Sequence, residues 1–248
     1  SGYMTLRQAE HYLDDEKRLT LAREIVQGAA RNIRQVLKYY QSREKNTSET
    51  VQSVEKLTDI INECSDIASL MGVEGNIRDH YYKAFDNIIE NPDFIFQVRS
   101  RRPPKNYLNT LISFGNSLLY TICLSEIYKT HLDPRIGYLH ATNFRRFTLN
   151  LDLAEIFKPI IIDRIIFTLI GKKMVTKQDF DQDTQGIMLK EKARKSFVEE
   201  LDNKLKTTIN HREIGRQVSY RRLIRLELYK IEKHLMGEKE YNAFVARW

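Results

Sequence analysis

The sequence predicts an all-α fold that forms a single domain over residues 1–248. Apolar residues recur at steps of three and four through almost the whole chain, which is the spacing of one buried helix face. No segment has a convincing strand period, and the irregular stretch 175–189 leaves open only one short hairpin. The chain is 42% hydrophobic and 29% charged, a composition that supports a full core in a folded domain.

Apolar stripes predict the helices of the amino-terminal part in order. The first stripe covers 19–40, and the polar segment 42–49 ends it. The second stripe covers 51–71. Two glycines, Gly72 and Gly75, then mark the start of a third helix.

Prolines shape the middle of the chain. Three of the five fall within 92–104, which predicts a connection rather than a regular element, and a long helix follows over 107–130. A strongly apolar helix that carries acidic residues is predicted over 148–171. Pro159 should kink this helix, because proline lacks a backbone donor and clashes with the preceding turn. Three further helices are predicted at 190–208, 218–236 and 238–247.

The charge balance is basic: 40 lysines and arginines stand against 33 aspartates and glutamates, a net charge of +7. This excess is compatible with a nucleic-acid partner. The two cysteines, Cys64 and Cys123, lie in separate apolar stripes, so we expect no disulfide framework and a reducing, cytoplasmic location. The most apolar run, 160–170, is too short to cross a bilayer and is broken by charges, so no membrane partner is expected.

The most informative segment is 137–164, which places one histidine, His140, ahead of two carboxylates. Asp152 and Glu155 lie three residues apart, so both fall on one face of a helix that turns once in about 3.6 residues. Acids on such an apolar helix are costly to bury unless they are paired, protonated or bound to a cation. Two ordinary alternatives stay open. In the first alternative the two acids lie at the solvated start of a helix, and in the second His140 is a partly buried histidine without a ligand role.

Glu74 is the third acid of interest and lies between Gly72 and Gly75. Its ordinary alternatives are an acid near a helix start, or an ion-pair partner of Arg78 one turn later. If Glu74 converges with His140 and the acidic helix, one imidazole with carboxylates and water suits Mg²⁺ or Mn²⁺. Structural zinc sites, ferritin-like di-iron sites, and the usual nucleotide-dependent or serine hydrolases have motifs that this sequence lacks.

Basic residues form clusters that a DNA backbone could contact. The candidates for DNA binding are Arg101, Arg102, Arg145, Arg146, Arg221 and Arg222. Each cluster alone is also typical of an ordinary solvated surface. The pair at 145–146 is the most suggestive, because it lies in sequence between His140 and the two carboxylates of the acidic helix.

Five segments of the chain match, in the same order, the segments of one known family. They are LMGVEGNIRDHYYKAF (70–85), RRPPKNYLNTLISFGNSLLY (101–120), LDPRIGYLH (132–140), LNLDLAEIFKPIIIDR (149–164) and YRRLIRLELYKIEKHLMGEKEYNAFVARW (220–248). Together they resemble the CRISPR-associated integrase family, the Cas-one proteins. Two positions depart from the family pattern, since Lys158 stands where many members have arginine and Asn116 where many have an aromatic residue.

The resemblance implies a divalent-metal-dependent DNA endonuclease and integrase that acts in CRISPR spacer acquisition. In the family's reaction a DNA 3′-hydroxyl attacks a phosphodiester of the CRISPR repeat and joins a new spacer. Glu74, His140 and Glu155 correspond to the family's ligands for Mg²⁺ or Mn²⁺, and Asp152 corresponds to a further acidic position of the catalytic site. The implied partners are DNA, as foreign fragments and CRISPR repeat, and the Cas-two protein.

The resemblance also sets expectations about assembly. Family members carry an amino-terminal β-rich domain, and this chain resembles only the helical catalytic domain that follows it. A homodimer is expected of the full-length protein and is doubtful for this chain, for which we expect a monomer or a weak dimer. The rival interpretation is a non-catalytic helical module that binds DNA or a protein partner, with structural acids.

Overall fold

The computed structural model describes residues 1–144 and 146–248 and confirms a mostly helical fold. In this part of the chain, ten α-helices are accompanied by two short antiparallel hairpins. The helices are α1 (Gly2–Leu13), α2 (Asp15–Gln41), α3 (Ser48–Asp59), α4 (Ile67–Lys83), α5 (Phe85–Ile89), α6 (Tyr107–Ile127), α7 (Leu149–Phe157), α8 (Arg164–Gly171), α9 (Glu191–Lys206) and α10 (Tyr220–Leu235). The strands are β1 (Phe180–Asp183), β2 (Gly186–Leu189), β3 (Thr208–His211) and β4 (Arg216–Ser219). None of the described helices is long and apolar enough to cross a membrane.

The centre of the fold is the acidic helix, which runs through α7 and continues into α8. Every residue from Asp152 to Asp163 is buried, as expected for a helix that is apolar on all sides. Both α2 and α6 pack against α7. Because the acids of α7 lie inside this core, their charge needs partners other than bulk water.

The acidic helix changes its hydrogen-bonding pattern beside Pro159, where the sequence predicts a kink. Residues Lys158–Asp163 form a π-helical segment between α7 and α8, a wider turn that accommodates the proline ring. Proline also lacks the N–H that an α-helix would donate to the carbonyl four residues earlier, which is that of Glu155. Arg78 donates to this carbonyl from Nη2 at 3.0 Å. The interruption therefore provides a buried acceptor beside the acidic side chains.

Helix boundaries in the amino-terminal part differ from the prediction. The Asp66 carboxylate caps α4 by accepting a first-turn N–H at 2.7 Å, so this helix begins at Ile67. The prediction that Gly72 and Gly75 mark its start is therefore wrong, since both lie inside α4. The single stripe predicted over 51–71 is split between α3 and the first turn of α4.

The helix predicted over 238–247 is also wrong, because this segment has no regular secondary structure. Its backbone groups bond to side chains of other helices instead. Asn32 accepts the N–H of Ala246 at 2.8 Å and donates to the carbonyl of Phe244 at 3.0 Å. Glu227 accepts the N–H of Phe244 at 3.0 Å. These tertiary hydrogen bonds compete with helix formation, which is only marginally favourable in so short a segment.

The two hairpins differ in how far the sequence predicts them. β1 and β2 pair with Phe180 opposite Leu189, inside the stretch 175–189 where the sequence allows one short hairpin. β3 and β4 are not predicted, so the presence of this second strand pair corrects the prediction of at most one hairpin. Their strands are four residues long, and only Ile209 and Val218, which pair with each other, give an apolar signal.

Candidate functional site

The histidine loop, residues 132–140, is held by the carboxylate of Asp152. Its Oδ2 accepts the backbone N–H of Tyr138 at 2.5 Å and that of Leu139 at 3.0 Å. Its Oδ1 accepts the backbone N–H of His140 at 2.9 Å and contacts ring nitrogen Nδ1 of the same residue at 2.7 Å. Asp152 is completely buried, so these four bonds replace the water that an ionised carboxylate needs.

Gly137 allows the histidine loop to approach α7. A Cβ at this position would lie 2.8 Å from the backbone carbonyl carbon of Thr148 and 2.9 Å from Oδ2 of Asp152. The N–H of Gly137 donates to the Thr148 hydroxyl at 2.8 Å, and this hydroxyl donates to the Arg135 carbonyl at 3.0 Å. Close packing against Asp152 therefore requires a glycine upstream of the histidine.

The ring of His140 has one bonded nitrogen and one available nitrogen. Because Nδ1 lies on Asp152, Nε2 is the nitrogen that can bind a cation or exchange a proton with a substrate. Burial alone would lower the pKa of His140, but the hydrogen bond and charge of Asp152 outweigh it and raise the pKa above its ordinary value. The side chain is 27% exposed, so a ligand can reach it.

Glu155 lies one turn after Asp152 on α7 and is buried. Nη2 of Arg78 donates to Oε2 at 2.6 Å, and Nζ of Lys158 donates to Oε1 at 2.8 Å. Burial would raise the pKa of Glu155, but the charges of Lys158 and Arg78 outweigh it and hold the pKa well below its ordinary value. The alternative of a solvated helix start is therefore wrong for both acids of α7.

Glu74 joins the same group of charges from α4. Its Oε1 accepts Nε of Arg78 at 3.0 Å, so the ion pair that the four-residue spacing allows is formed. Burial and the negative charge of Glu155 raise the pKa of Glu74, and together they outweigh the opposing effect of Arg78. A single arginine thus bridges the two glutamates.

The structure brings the three predicted metal ligands into one neighbourhood. Glu155 interacts electrostatically with both His140 and Glu74. Both carboxylate oxygens of Glu155 accept hydrogen bonds, one from Arg78 and one from Lys158. Within the described residues no three His, Cys, Asp or Glu side chains are arranged to hold a metal ion. The donor types nevertheless fit a hard divalent cation: two carboxylates, and an imidazole whose other nitrogen is fixed by a carboxylate.

A further buried acid, Asp163, lies in the π-helical segment. The Tyr81 hydroxyl donates to its Oδ2 at 2.8 Å, whereas Oδ1 has no hydrogen-bond partner in the described part of the chain. Nη1 of Arg78 is likewise buried and without a partner there. Burial raises the pKa of Asp163 to about 6, against the opposing charge of Arg78. Such unpaired buried polar atoms are rare, and here both belong to charged side chains.

Sequence reasoning missed the side chains that complete this cluster. Arg78 appeared only as an alternative partner of Glu74, and Lys158 only as a departure from a family pattern. Both carry a spacing signal, because each lies one helical turn after a predicted ligand. Asp163 could have been found as a lone acid that follows a run of isoleucines.

The six predicted DNA-binding arginines have different environments. Three of them are exposed, namely Arg101, Arg102 and Arg146. Two others have partners within the protein: Arg221 lies 3.6 Å from the carboxylate of Glu126, and Arg222 lies over the ring of Tyr229 at 5.8 Å. Arg145 lies outside the described residues. Arg101, Arg102 and Arg146 therefore have side chains accessible to a phosphate backbone.

The chain matches a known family over most of its length. The family described as CRISPR associated protein Cas1 matches residues 1–203. A protein of Thermodesulfovibrio yellowstonii named CRISPR-associated endonuclease Cas1 2 is 59% identical over 248 residues, which is 100% of this chain and 75% of the relative. The solved structure of a CAS1 protein from Thermotoga maritima has a TM-score of 0.86 at 45% identity, covering 98% of this chain and 74% of that chain.

More distant structures share the fold alone. A casposase bound to integration product has a TM-score of 0.85 at 22% identity, over 98% of this chain and 67% of that one. A chain of a Cas6-RT-Cas1–Cas2 complex has a TM-score of 0.87 at 19% identity, over 99% of this chain and 27% of that one. The family match and the closely similar relative confirm the predicted resemblance. The chain therefore belongs to the Cas1 family of CRISPR-associated proteins, and its activity class is that of a CRISPR-associated endonuclease.

Proposed function

We propose that Glu74, His140 and Glu155 hold one divalent cation, Mg²⁺ or Mn²⁺, at the catalytic site of this endonuclease. The observation that carries the proposal is the contact between Asp152 and His140, because it occupies Nδ1 at 2.7 Å and leaves Nε2 for a cation. The two glutamates supply oxygen donors of the type that such cations prefer. The interactions of Glu155 with both other ligands support a shared site.

The substrate is a DNA phosphodiester. A bound divalent cation supplies polarisation of the phosphoryl oxygens and stabilisation of the leaving oxygen. Asp152 acts as a positioning residue, because it holds the histidine loop by its backbone and selects the tautomer in which Nε2 of His140 is an acceptor. Lys158 and Arg78 keep Glu155 ionised, which is the form that binds a cation.

The reaction is phosphodiester cleavage and strand transfer in CRISPR spacer acquisition, with DNA and Cas2 as partners. The distant structures that share the fold contain an integration product in one case and Cas2 in the other, which supports this assignment. Arg101, Arg102, Arg145 and Arg146 bind backbone phosphates, and Arg221 and Arg222 contribute less. Residues 1–248 form the helical catalytic domain, and the full-length protein is a homodimer.

The test is cleavage and strand transfer on duplex DNA that carries a CRISPR repeat, with Mn²⁺ as the added metal. Glu74→Ala, His140→Ala and Glu155→Ala should each lower the rate by about 100-fold or more, as expected when several kcal/mol of metal-derived stabilisation are lost. Glu126→Gln changes a buried acid that pairs with Lys129 and Arg225 rather than with residues of the site, and it serves as the control. Undiminished activity in all three alanine variants would contradict the assignment.

The rival interpretation, a non-catalytic helical module that binds DNA or a protein partner, makes the opposite prediction for the same acids. The neutralisation of Glu155 by Arg78 and Lys158 favours it, because buried acids that are fully paired can be purely structural. This candidate predicts DNA binding that weakens steeply with salt and responds neither to EDTA nor to Glu155→Ala. Cleavage that needs Mn²⁺ and is lost in Glu155→Ala would exclude it.

A further inference from the structure

The guanidinium of Arg78 makes three hydrogen bonds at the candidate site and leaves one nitrogen unused. Nε donates to Glu74 at 3.0 Å, and Nη2 donates to the side chain of Glu155 at 2.6 Å and to its backbone carbonyl at 3.0 Å. Nη1 is buried and has no partner within the described residues. A buried unpaired donor on a charged group is costly, so its persistence calls for a physical reason.

Asp163 has an unpaired acceptor that complements the unpaired donor of Arg78. Its Oδ1 is buried without a partner in the described part of the chain, while the Tyr81 hydroxyl fixes Oδ2 at 2.8 Å. The charge of Arg78 already acts on Asp163 through space. An unused donor on a cation and an unused acceptor on an acid therefore lie within electrostatic reach of each other, inside one buried cluster.

The local backbone gives the guanidinium an anchor that a metal ion does not remove. Nη2 is bonded to the carbonyl of Glu155, which Pro159 deprives of its ordinary α-helical donor. If the glutamate side chains turned to a divalent cation, this carbonyl bond could remain. Arg78 could then exchange its carboxylate partners without leaving the cluster.

We propose that Arg78 is a displaceable counter-ion of the metal site, and that Asp163 is the second acceptor that receives it when a divalent cation binds Glu74 and Glu155. The inference rests on the metal site of the proposed function. Without the cation, Arg78 and Lys158 balance the two glutamates. With the cation in place, Arg78 faces added positive charge, and Asp163 supplies the negative partner that keeps it buried. In this proposal Asp163 is a positioning residue that acts on the site through Arg78.

The experiment measures Mn²⁺ binding by isothermal titration calorimetry in wild type, Asp163→Asn, Arg78→Met and the double variant. Asp163→Asn should raise the Kd for Mn²⁺ by about 10-fold, the lower end of the effect of outer partners on metal affinity. Arg78→Met removes the group that must be displaced, so adding Asp163→Asn in that background should change the Kd by less than about 2-fold. Arg225→Met, which changes an arginine on the unrelated Glu126, should leave the Kd unchanged.

Each other result overturns the inference. An unchanged Kd in Asp163→Asn would show that Arg78 needs no second acceptor, and an equal loss with and without Arg78 would show that Asp163 acts independently of it. Either result would leave the metal site itself intact, whereas a wild type that binds no Mn²⁺ would overturn the site and the inference together. If Arg78→Met does not fold, Arg78→Lys replaces it, because lysine has no second nitrogen to donate to Asp163, and the coupling should again be reduced.

Discussion

Two buried glutamates in this protein have nearly the same ion-pair chemistry and different surroundings. Glu155 bonds to Lys158, three residues later, and to Arg78 from another helix. Glu126 bonds in the same way to Lys129, three residues later at 3.1 Å, and to Arg225 from α10 at 2.8 Å. Burial would raise the pKa of each carboxyl, but the hydrogen bonds and charges of their partners outweigh it and lower the pKa below its ordinary value.

The difference between the two sites lies in exposure and in charge balance. The side chains of Lys129 and Arg225 are 47% and 24% exposed, whereas those of Lys158 and Arg78 are 8% and 10% exposed. In the described part of the chain Glu126 is one acid among three cations, Lys129, Arg221 and Arg225. The cluster around Glu155 contains further acids and unpaired buried atoms. A buried salt bridge is thus weak evidence of function by itself. The surplus of acids distinguishes a candidate site from a structural pair.

The largest expected effect comes from removing the equivalent lysine at each site. Lys158→Met should lower the free energy of unfolding by about 3–5 kcal/mol, because it leaves a buried carboxylate with less compensation. Lys129→Met should cost no more than about 1 kcal/mol, because the exposed lysine is screened by water. Urea denaturation at pH 7.5 with EDTA measures both. Equal losses at the two sites would show that burial does not separate them.

The second expected effect is a pH dependence that arises from Asp163. Its pKa of about 6 lies above the ordinary value of 3.8, so the folded state binds this proton more tightly than the unfolded state. Asp163 therefore lowers the free energy of unfolding as pH rises from about 4 to 6, and the cost is fully present above that window. Asp163→Asn should be more stable than wild type at pH 7.5, by up to about 3 kcal/mol.

The same variant should lose most of its advantage at pH 4, since wild-type Asp163 is then protonated in the folded state and about half protonated in the unfolded state. Urea denaturation of both proteins at pH 7.5, 6 and 4, with EDTA present, measures the difference in their free energies of unfolding. The contributions of the other titrating groups largely cancel in this difference. A constant difference across this range would mean that Asp163 does not titrate there. Glu126→Gln provides the matched contrast, because the lowered pKa of Glu126 predicts a loss of stability at pH 7.5 that shrinks at low pH.

Helical periodicity accounts for most of what the sequence predicts correctly. The long helices, the connection rich in proline and the interruption at Pro159 all follow from local pattern. The prediction of a helix over 238–247 fails because the conformation of this segment depends on hydrogen bonds to Asn32 and Glu227, which lie far away in sequence. Local preference is too weak to overcome such bonds.

The contacts of the candidate site also divide into those that local spacing predicts and those that it cannot predict. The spacing of Asp152 and Glu155 places both on one helix face, and the spacing of Glu74 and Arg78 allows their ion pair. The contact between Arg78 and Glu155 joins distant segments, so no local pattern could reveal it. The unpaired atoms of Arg78 and Asp163 are properties of three-dimensional packing alone.

The smallest expected effects concern the histidine loop. This loop belongs to the site around Glu155, and no such loop has been described at Glu126. Gly137→Ala would push a methyl group against the backbone at Thr148 and against the Asp152 carboxylate. Such overpacking should lower the free energy of unfolding by about 1–3 kcal/mol. Because the displaced carboxylate also orients His140, the variant should bind Mn²⁺ about 10-fold more weakly. Thermal unfolding and calorimetric titration measure the two effects separately.

Gly75→Ala is the matched control for Gly137→Ala. Gly75 lies inside α4, one residue after Glu74, and a Cβ there meets no atom within 4 Å beyond its neighbouring residues and the backbone of its own helix. Alanine should raise the free energy of unfolding by about 0.5–1 kcal/mol, because glycine is a poor helix former. Mn²⁺ affinity should stay as in wild type. Since both variants add one methyl group near a proposed ligand, opposite signs in stability would assign the effect to the packing of the histidine loop on Asp152. Destabilisation by both would instead mean that α4 cannot accept change beside Glu74.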